Sequence, residues 1–415
     1  MNNVALLTTL VFLLFMAVGL TNPINSLYVK SLGANYTLIG VLGTVGSLTS
    51  LAFSYLWGHL SDRMAQRKRF MMIGLAGVAI SQGLMAIVPN YVYLFPLRIL
   101  GAIAQSAYGT TSLALIGDLL ERQRGRGRSM GTYRGLASLG FGLMAFVSGS
   151  IADRVGLRAP FGLAGGLAAI AFFLSFAIQE TLPSRREAEV RAKARLADQS
   201  GVAGLSAAPK QASPGATAGE LDRRLPMMPL LVSAFLWSLV TGAVYGVWAN
   251  YMVEKLGYSR TAMSRLWATA STSEFPLMIV AGWMSDRLGR LPMLSLGFLA
   301  WTVVFLGYVV VPVMPWMVLI QLTRGFAYSA YTATAMTYAT EVRSQAERGR
   351  ASGLFNSAGG LGMILGSTAG GTLAQTLGFK PMILIAAGLI FAGAVYVGGC
   401  AVWWARAHSI EFVQS

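Results

Sequence analysis

The sequence is poor in charge, and poorest in negative charge. Only 12% of its 415 residues are Asp, Glu, Lys or Arg, and only 16 are acidic. Soluble domains carry about 25% charged residues, so a soluble domain with a single anchor is excluded and most of the chain is expected in lipid. There are two histidines. His59 falls in a polar link and His408 in the C-terminal tail, so neither suits a midplane proton relay or a buried metal site. The single cysteine, Cys400, excludes an intramolecular disulfide. No glycine-rich loop precedes a Lys and a Ser or Thr, which speaks against ATP hydrolysis. No nucleophile constellation is present, and an enzyme is not expected. The first apolar run lacks a basic flank and a small-residue cleavage site, so it is expected to stay as a span and not to act as a signal peptide.

What is present is apolar length. The chain is 55% hydrophobic, and spans of about 20 apolar residues each can be drawn over Val4–Val29, Tyr36–Gly58, Phe70–Val88, Val92–Leu119, Ser129–Ala152 and Pro160–Ile178. A second set covers Met228–Val253, Thr261–Trp283, Pro292–Val311, Trp316–Thr340, Ala351–Gln375 and Pro381–Ala405. The expectation is an all-α integral membrane protein with 12 transmembrane helices in two six-helix, pseudo-symmetric halves. Residues 1–180 form the first half and 227–405 the second, with a tail over 406–415. Between them, 181–226 begins with Arg185, Arg186, Arg191, Lys193 and Arg195 and continues into an Ala/Ser/Gly/Pro-rich tract, expected to be a flexible cytoplasmic linker. With the links taken alternately, 22 Lys and Arg fall on the side of the termini and 7 on the other, counting Arg265 in the first turns of its span, and 3 (Arg98, Arg134 and Arg324) lie within other spans. By the positive-inside rule both termini are expected in the cytoplasm. That asymmetry, not nucleic acid, accounts for the net charge of +16.

The two halves repeat. GHLSDRMAQRKRFM at Gly58–Met71 returns as GWMSDRLGRLPML at Gly282–Leu294, with the glycines 224 residues apart. Ser106-Ala107-Tyr108 returns as Ser329-Ala330-Tyr331, and Arg126-Gly127-Arg128 as Arg348-Gly349-Arg350. The repeated motif resembles the G-x-L-[SA]-D-R-x-G-[RK]-[RK] signature of the major facilitator superfamily of secondary transporters, found in the cytoplasmic link between helices 2 and 3 and often echoed between helices 8 and 9. The first copy departs at Ala65 and Gln66, and the second at Met284. Read physically, the motif is a latch. Gly58 permits close helix approach, Asp62 faces a helix N-terminus or an Arg, and Arg63, Arg67, Lys68 and Arg69 hold the link at the membrane surface; Gly282, Asp286, Arg287, Gly289 and Arg290 are the second copy's gating candidates. Arg134, just inside span 5, joins these gating candidates. The same residues would also make a plain basic loop.

An ionisable residue inside lipid tends to be functional, since burying a charge there costs about 2.5–3.5 kcal/mol on insertion scales. Among all acidic residues only Glu274 lies deep in a span, two residues before Pro276. A Glu on helix 8 followed by Pro is similar to lactose-permease-like proton-linked porters, which makes Glu274 the proton-coupling candidate; the alternative is a structural Glu paired to an Arg. Arg98 resembles the superfamily's helix-4 Arg, with Gly101 three residues on where four is usual, and Arg324 is its rough counterpart on span 10. Asn22, Gln105, Tyr245, Trp248, Asn250 and Tyr328 complete the expected substrate cavity. Span 5 lacks the Gly-Pro pair of many drug–proton antiporters, which weakens the case for antiport.

The resemblance implies an inner-membrane secondary active transporter that moves a small organic solute by rocker-switch alternating access, coupled to protons as symport or antiport. The alternatives are an uncoupled facilitator and a transporter-like sensor or lipid-handling protein. The implied partners are a small-molecule substrate and the lipid bilayer, with no nucleic acid, no metal and no cofactor beyond the proton gradient, and the implied form is a monomer.

Overall fold

The computed structural model describes residues 3–64, 66–121, 126–178, 180, 225–341 and 348–409. Their regular structure is entirely helical. Twelve long helices follow in order: α1 (Asn3–Thr21), α2 (Tyr36–Met64), α3 (Arg67–Met85), α4 (Leu94–Glu121), α5 (Arg126–Arg154), α6 (Ala159–Ser175), α7 (Met227–Tyr245), α8 (Arg260–Leu288), α9 (Arg290–Val310), α10 (Trp316–Glu341), α11 (Arg348–Thr376) and α12 (Phe379–Ser409). Seven of them are long and apolar enough by composition alone to cross a membrane, and α6 is apolar but shorter. The other four, α3, α8, α10 and α11, carry interior small and polar residues that dilute their apolar character. The chain is a multi-pass membrane protein.

Neighbour relations repeat between the halves. In the first, α1 lies against α5 and α6, α4 against α2 and α3, and α3 against α6. In the second, α7 lies against α11 and α12, α10 against α8 and α9, and α9 against α12. Each half therefore has the same six-helix arrangement, with its own apolar interior: Leu7, Leu10, Met71 and Leu75 in one, Phe298, Trp301 and Phe305 in the other.

Two long helices break where the backbone cannot continue. Pro23 offers no N–H to the preceding turn, so α1 tightens into a 3₁₀ turn over Asn22–Ile24 and resumes as Asn25–Ser31. α7 ends at Tyr245, and Val247 leaves the helical region (φ −132°, ψ 7°) before a short turn at Trp248–Asn250 and a π-turn at Tyr251–Lys255.

The repeated motif is more helical than its polar residues suggested. α2 runs on to Met64 and α8 to Leu288, so the second link is Gly289 alone, in the left-handed region at φ +91°. A side chain is strained in that conformation.

The halves meet along two seams, α2 against α11 and α5 against α8. Contacts between them concentrate on the far side, opposite the ends of the chain. A Cβ on Gly371 would sit 2.3 Å from the Tyr36 carbonyl oxygen, and one on Gly149 2.0 Å from that of Arg260, so backbone meets backbone there. Around this seal the Tyr36 N–H donates to Gln375 Oε1 (3.0 Å) and its hydroxyl to Glu254. The Thr261 N–H and hydroxyl both donate to Asp153 Oδ2, at 3.0 and 2.7 Å. The Asn25–Ser31 turn rests on Trp248–Asn250 and caps the middle.

Candidate functional site

Between the seams lies a central cavity of about 410 Å³. The first half contributes Asn22, Asn25, Ser26, Ser47 and Arg98, and the second Trp237, Tyr245, Trp267, Trp301, Arg324 and Tyr328. It shares Ser47, Met85, Arg98 and Met363 with a second cavity of about 400 Å³, which reaches Ser54 and Gln105. It shares Trp237, Tyr328 and Met363 with a third of about 360 Å³, which reaches Phe355 and Asn356. Ser54 is nearer the terminal-side end of α2, and Asn356 that of α11, so both extensions lead toward the side of the termini. The path is closed on one face and leads to the other.

The aromatic part of the wall is held as a network. Trp237 stacks on Tyr331 (4.5 Å between centroids, 16° between planes), and Trp301 meets Tyr245 edge-on at 5.9 Å. Tyr245 in turn meets Trp267 edge-on at 5.7 Å. Such pairs contribute about 0.5–1.5 kcal/mol each beyond burial, so this wall is stiff.

The two arginines differ in setting. Arg98 stretches over α2, where a Cβ on Gly46 would stand 2.6 Å from its Nε. It faces the cavity, and no described residue forms a hydrogen bond or ion pair with it. Arg324 is 7% exposed, and its guanidinium lies 4.7 Å from the Tyr245 ring and 4.9 Å from the Trp267 ring. Its Nε and Nη1 find no acceptor among the described residues. Glu274 is close enough to interact electrostatically with Arg324, but no ion pair within 4.0 Å joins them. Glu274 stands midway along α8, half-buried, and is not among the residues that line the central cavity. Its carbonyl oxygen accepts from the Ser329 hydroxyl at 3.0 Å.

Of the residues expected in the cavity from sequence, Asn22, Arg98, Tyr245, Arg324 and Tyr328 line the central chamber, and Gln105 lines the second. Trp248 and Asn250 do not. Both are fully buried, Trp248 against Trp267 at 5.3 Å, with Asn250 donating to Glu254 at 2.6 Å. The break after Tyr245 turns both away from the cavity. Trp267 and Trp301 went unnoticed. Their signal was a tryptophan away from the span ends, where the aromatic belts of membrane proteins do not reach.

The gating candidates are placed unevenly. The Asp62 and Arg134 side chains lie outside the described residues. Arg63 is exposed, and Arg67 Nη1 donates to the Ala114 carbonyl at 3.1 Å, tying α3 to α4. Arg290 joins Glu341 through two bonds of 2.8 Å, Asp286 at 2.7 Å and Ser285 at 2.9 Å. Arg287 lies 4.0 Å over the Trp283 ring. The second copy thus binds α8, α9 and α10 within one half, and none of the contacts shown for Asp286, Arg287 and Arg290 reaches the other half in this state. The close approach expected at Gly58 is absent, and Gly282 makes none: a Cβ would meet only a Thr110 methyl at 3.6 Å at the first and nothing within 4 Å at the second. The physical reason is that the halves touch on the far side and not at this end.

Among the described residues no group of three or more His, Cys, Asp or Glu could hold a metal. The quinolone resistance protein NorA of Staphylococcus aureus (strain Mu50 / ATCC 700699) is 27% identical over 168 residues, 40% of this chain and 42% of NorA. The multi-drug resistance efflux pump PmrA of Streptococcus pneumoniae serotype 4 is 27% identical over 188 residues, 44% of this chain and 46% of PmrA. The alignments thus span less than half the length of these relatives. The nucleoside transporter NupG superposes with a TM-score of 0.75 at 17% identity, covering 96% of this chain and 99% of that structure. The human organic anion transporter MFSD10 (TETRAN) gives 0.61 at 18% identity, covering 95% and 98%. At these identities the structures speak for the fold alone. The MFS_1 like family description matches residues 5–384, and the chain belongs to that family of major facilitator transporters.

Proposed function

We propose that the protein is a secondary active transporter of the inner membrane, with both termini cytoplasmic, that moves a small organic solute by alternating access and draws on protons through Glu274. The observation that carries this reading is the one-sided cavity. The halves meet backbone to backbone on the far side, while the central chamber continues toward the termini. A rocking motion that parted the α2/α11 and α5/α8 seams would expose the same chamber to the other face. With the lysine and arginine bias, the face reached here is the cytoplasmic one. Glu274 is the one acidic residue deep in a span, and it interacts with Arg324 without a fixed ion pair. That leaves it free to exchange a proton when the partnership changes. The relatives named for quinolone resistance and multidrug efflux support a cargo of drug size.

Glu274→Gln mimics the protonated carboxyl. In proteoliposomes it is expected to retain exchange down a substrate gradient and to lose accumulation driven by a pH gradient alone. Undiminished accumulation under a pH gradient would overturn the assignment of coupling to Glu274.

A further inference from the structure

We infer that the central cavity takes an organic anion: a flat apolar body bearing a carboxylate, sulfonate or phosphate that sits between Arg98 and Arg324. The inference rests on the transporter reading only in treating this chamber as the cargo site.

The chamber wall contains two guanidinium groups and, among the described residues, no Asp or Glu. Neither guanidinium has a hydrogen-bonded or ion-paired partner among the described residues. The unpaired buried side-chain polar atoms of this wall are Arg324 Nε, Arg324 Nη1, Trp237 Nε1 and Trp301 Nε1. Every one is a donor. A wall of unsatisfied donors selects a ligand rich in acceptors. These four atoms carry almost no accessible surface, so water does not reach them here, an acceptor meets them only after a side-chain shift, and among the described acids Glu274 alone acts on the charge of Arg324. Cation–π contacts with Tyr245 and Trp267 contribute about 0.5–2 kcal/mol, and they leave the in-plane N–H groups of Arg324 unused. Those groups form the fork that binds planar oxyanions through two parallel bonds.

The rest of the wall sets the body of the ligand. Trp237, Tyr245, Trp267 and Trp301 come from one half and present ring faces and edges. They suit an aromatic or other flat apolar group. Among the described residues the only carboxylate interacting with Arg324 belongs to Glu274, which is not part of the chamber lining, so a lipophilic cation entering the chamber meets two guanidinium groups and no acid on the wall itself.

The test uses the full chain in nanodiscs and three radiolabelled probes with one ring system and different charge: 2-naphthoate, 2-naphthol and 2-naphthylmethylammonium. Equilibrium binding is expected to favour 2-naphthoate by at least about tenfold over both others, as expected for a charge-assisted pair. Arg98→Gln and Arg324→Gln are each expected to weaken 2-naphthoate by about tenfold or more while leaving 2-naphthol within about twofold. Retained 2-naphthol binding reports that the variant is folded. If Arg324→Gln does not fold, Arg324→Lys keeps the charge and removes the fork, and a several-fold loss confined to 2-naphthoate is expected. Preference for the ammonium probe, or unchanged 2-naphthoate affinity in both arginine variants, overturns the proposal. Failure of the transporter reading looks different. Selective 2-naphthoate binding without uptake into proteoliposomes would keep the anion site and refute transport. Uptake of the ammonium probe alone would keep transport and refute the anion site.

Discussion

The two halves share a helix arrangement but build opposite walls. The first presents short polar side chains from α1 and α2 and a guanidinium stretched over a glycine. The second presents five aromatic residues and a guanidinium beneath two of their rings, with a carboxylate within electrostatic reach of it. Arg98 and Arg324 occupy roughly corresponding positions in the repeat, yet only Arg324 has an acid within electrostatic reach among the described residues. The proposed recognition of an apolar body and the proposed handling of a proton would therefore both fall to one half. The other supplies a charge and a hydratable surface. Duplication set the frame, and divergence at the midplane set the work of each part.

The strongest way to break this division is to stop the halves from meeting. Gly371 faces α2, and its added Cβ would stand 2.3 Å from a backbone oxygen that cannot move aside. Gly371→Val is expected to disfavour the closed far side by about 3 kcal/mol, roughly a 100-fold shift in population. Transport should be lost while folding is kept, because the clash exists only when the seam is shut. Spin-label distances across the far ends of α2 and α11 should move to the longer population.

An effect on stability, with transport geometry left aside, compares the walls directly. Trp301 is 1% exposed and touches Trp237, Tyr245 and Phe305. Trp301→Ala should cost about 3–5 kcal/mol of stability, whereas Ser47→Ala across the cavity should stay within about 0.5 kcal/mol. Calorimetric unfolding of both in one detergent sharpens the contrast. A soft aromatic wall would show similar losses in the two variants.

The smallest effect concerns the repeated motif. Arg290→Gln gives the second copy the residue that the first carries at Gln66. The partners are partly solvated, with Asp286 70% and Glu341 42% exposed at the side chain. The expected cost is therefore about 1 kcal/mol, a fall of roughly 2–4 °C in Tm, with both transport and 2-naphthoate binding intact.

Much of this was legible in the sequence. Twelve apolar runs, their duplication and the repeated motif lead to the helix count and to the family. Elimination among the acids isolates Glu274, since buried charge is rare enough to stand out. The rest resisted for local reasons. Ser61 and Arg63 read as a loop because they are polar, yet α2 carries them as helix to Met64. The turn that swings Trp248 and Asn250 away depends on Gly246 and Val247, neither of which is a strong helix breaker in a tightly packed span. Trp267 and Trp301 read as ordinary apolar content until neighbouring helices bring them to one wall. The glycines of α11 also divide by context. Gly362 and Gly366 face the α7 backbone within their own half, and Gly371 faces the other half.

The closed far side also decides where the membrane voltage acts. A watery chamber continuous with one face sits near that face's potential, so the field falls across the sealed layer. When the proposed switch transfers the seal to the other end, Arg98 and Arg324 pass from one potential to the other while hardly moving in space. Each unit charge so transferred is worth about 2.3 kcal/mol per 100 mV. The empty carrier takes two positive charges through that drop, and an anionic cargo cancels one. Glu274, by holding or releasing its proton, sets the remainder. If the proposed switch operates, the resting orientation of the empty protein is set in part by the cell's voltage, and the charge of the proposed cargo changes how strongly that voltage is felt.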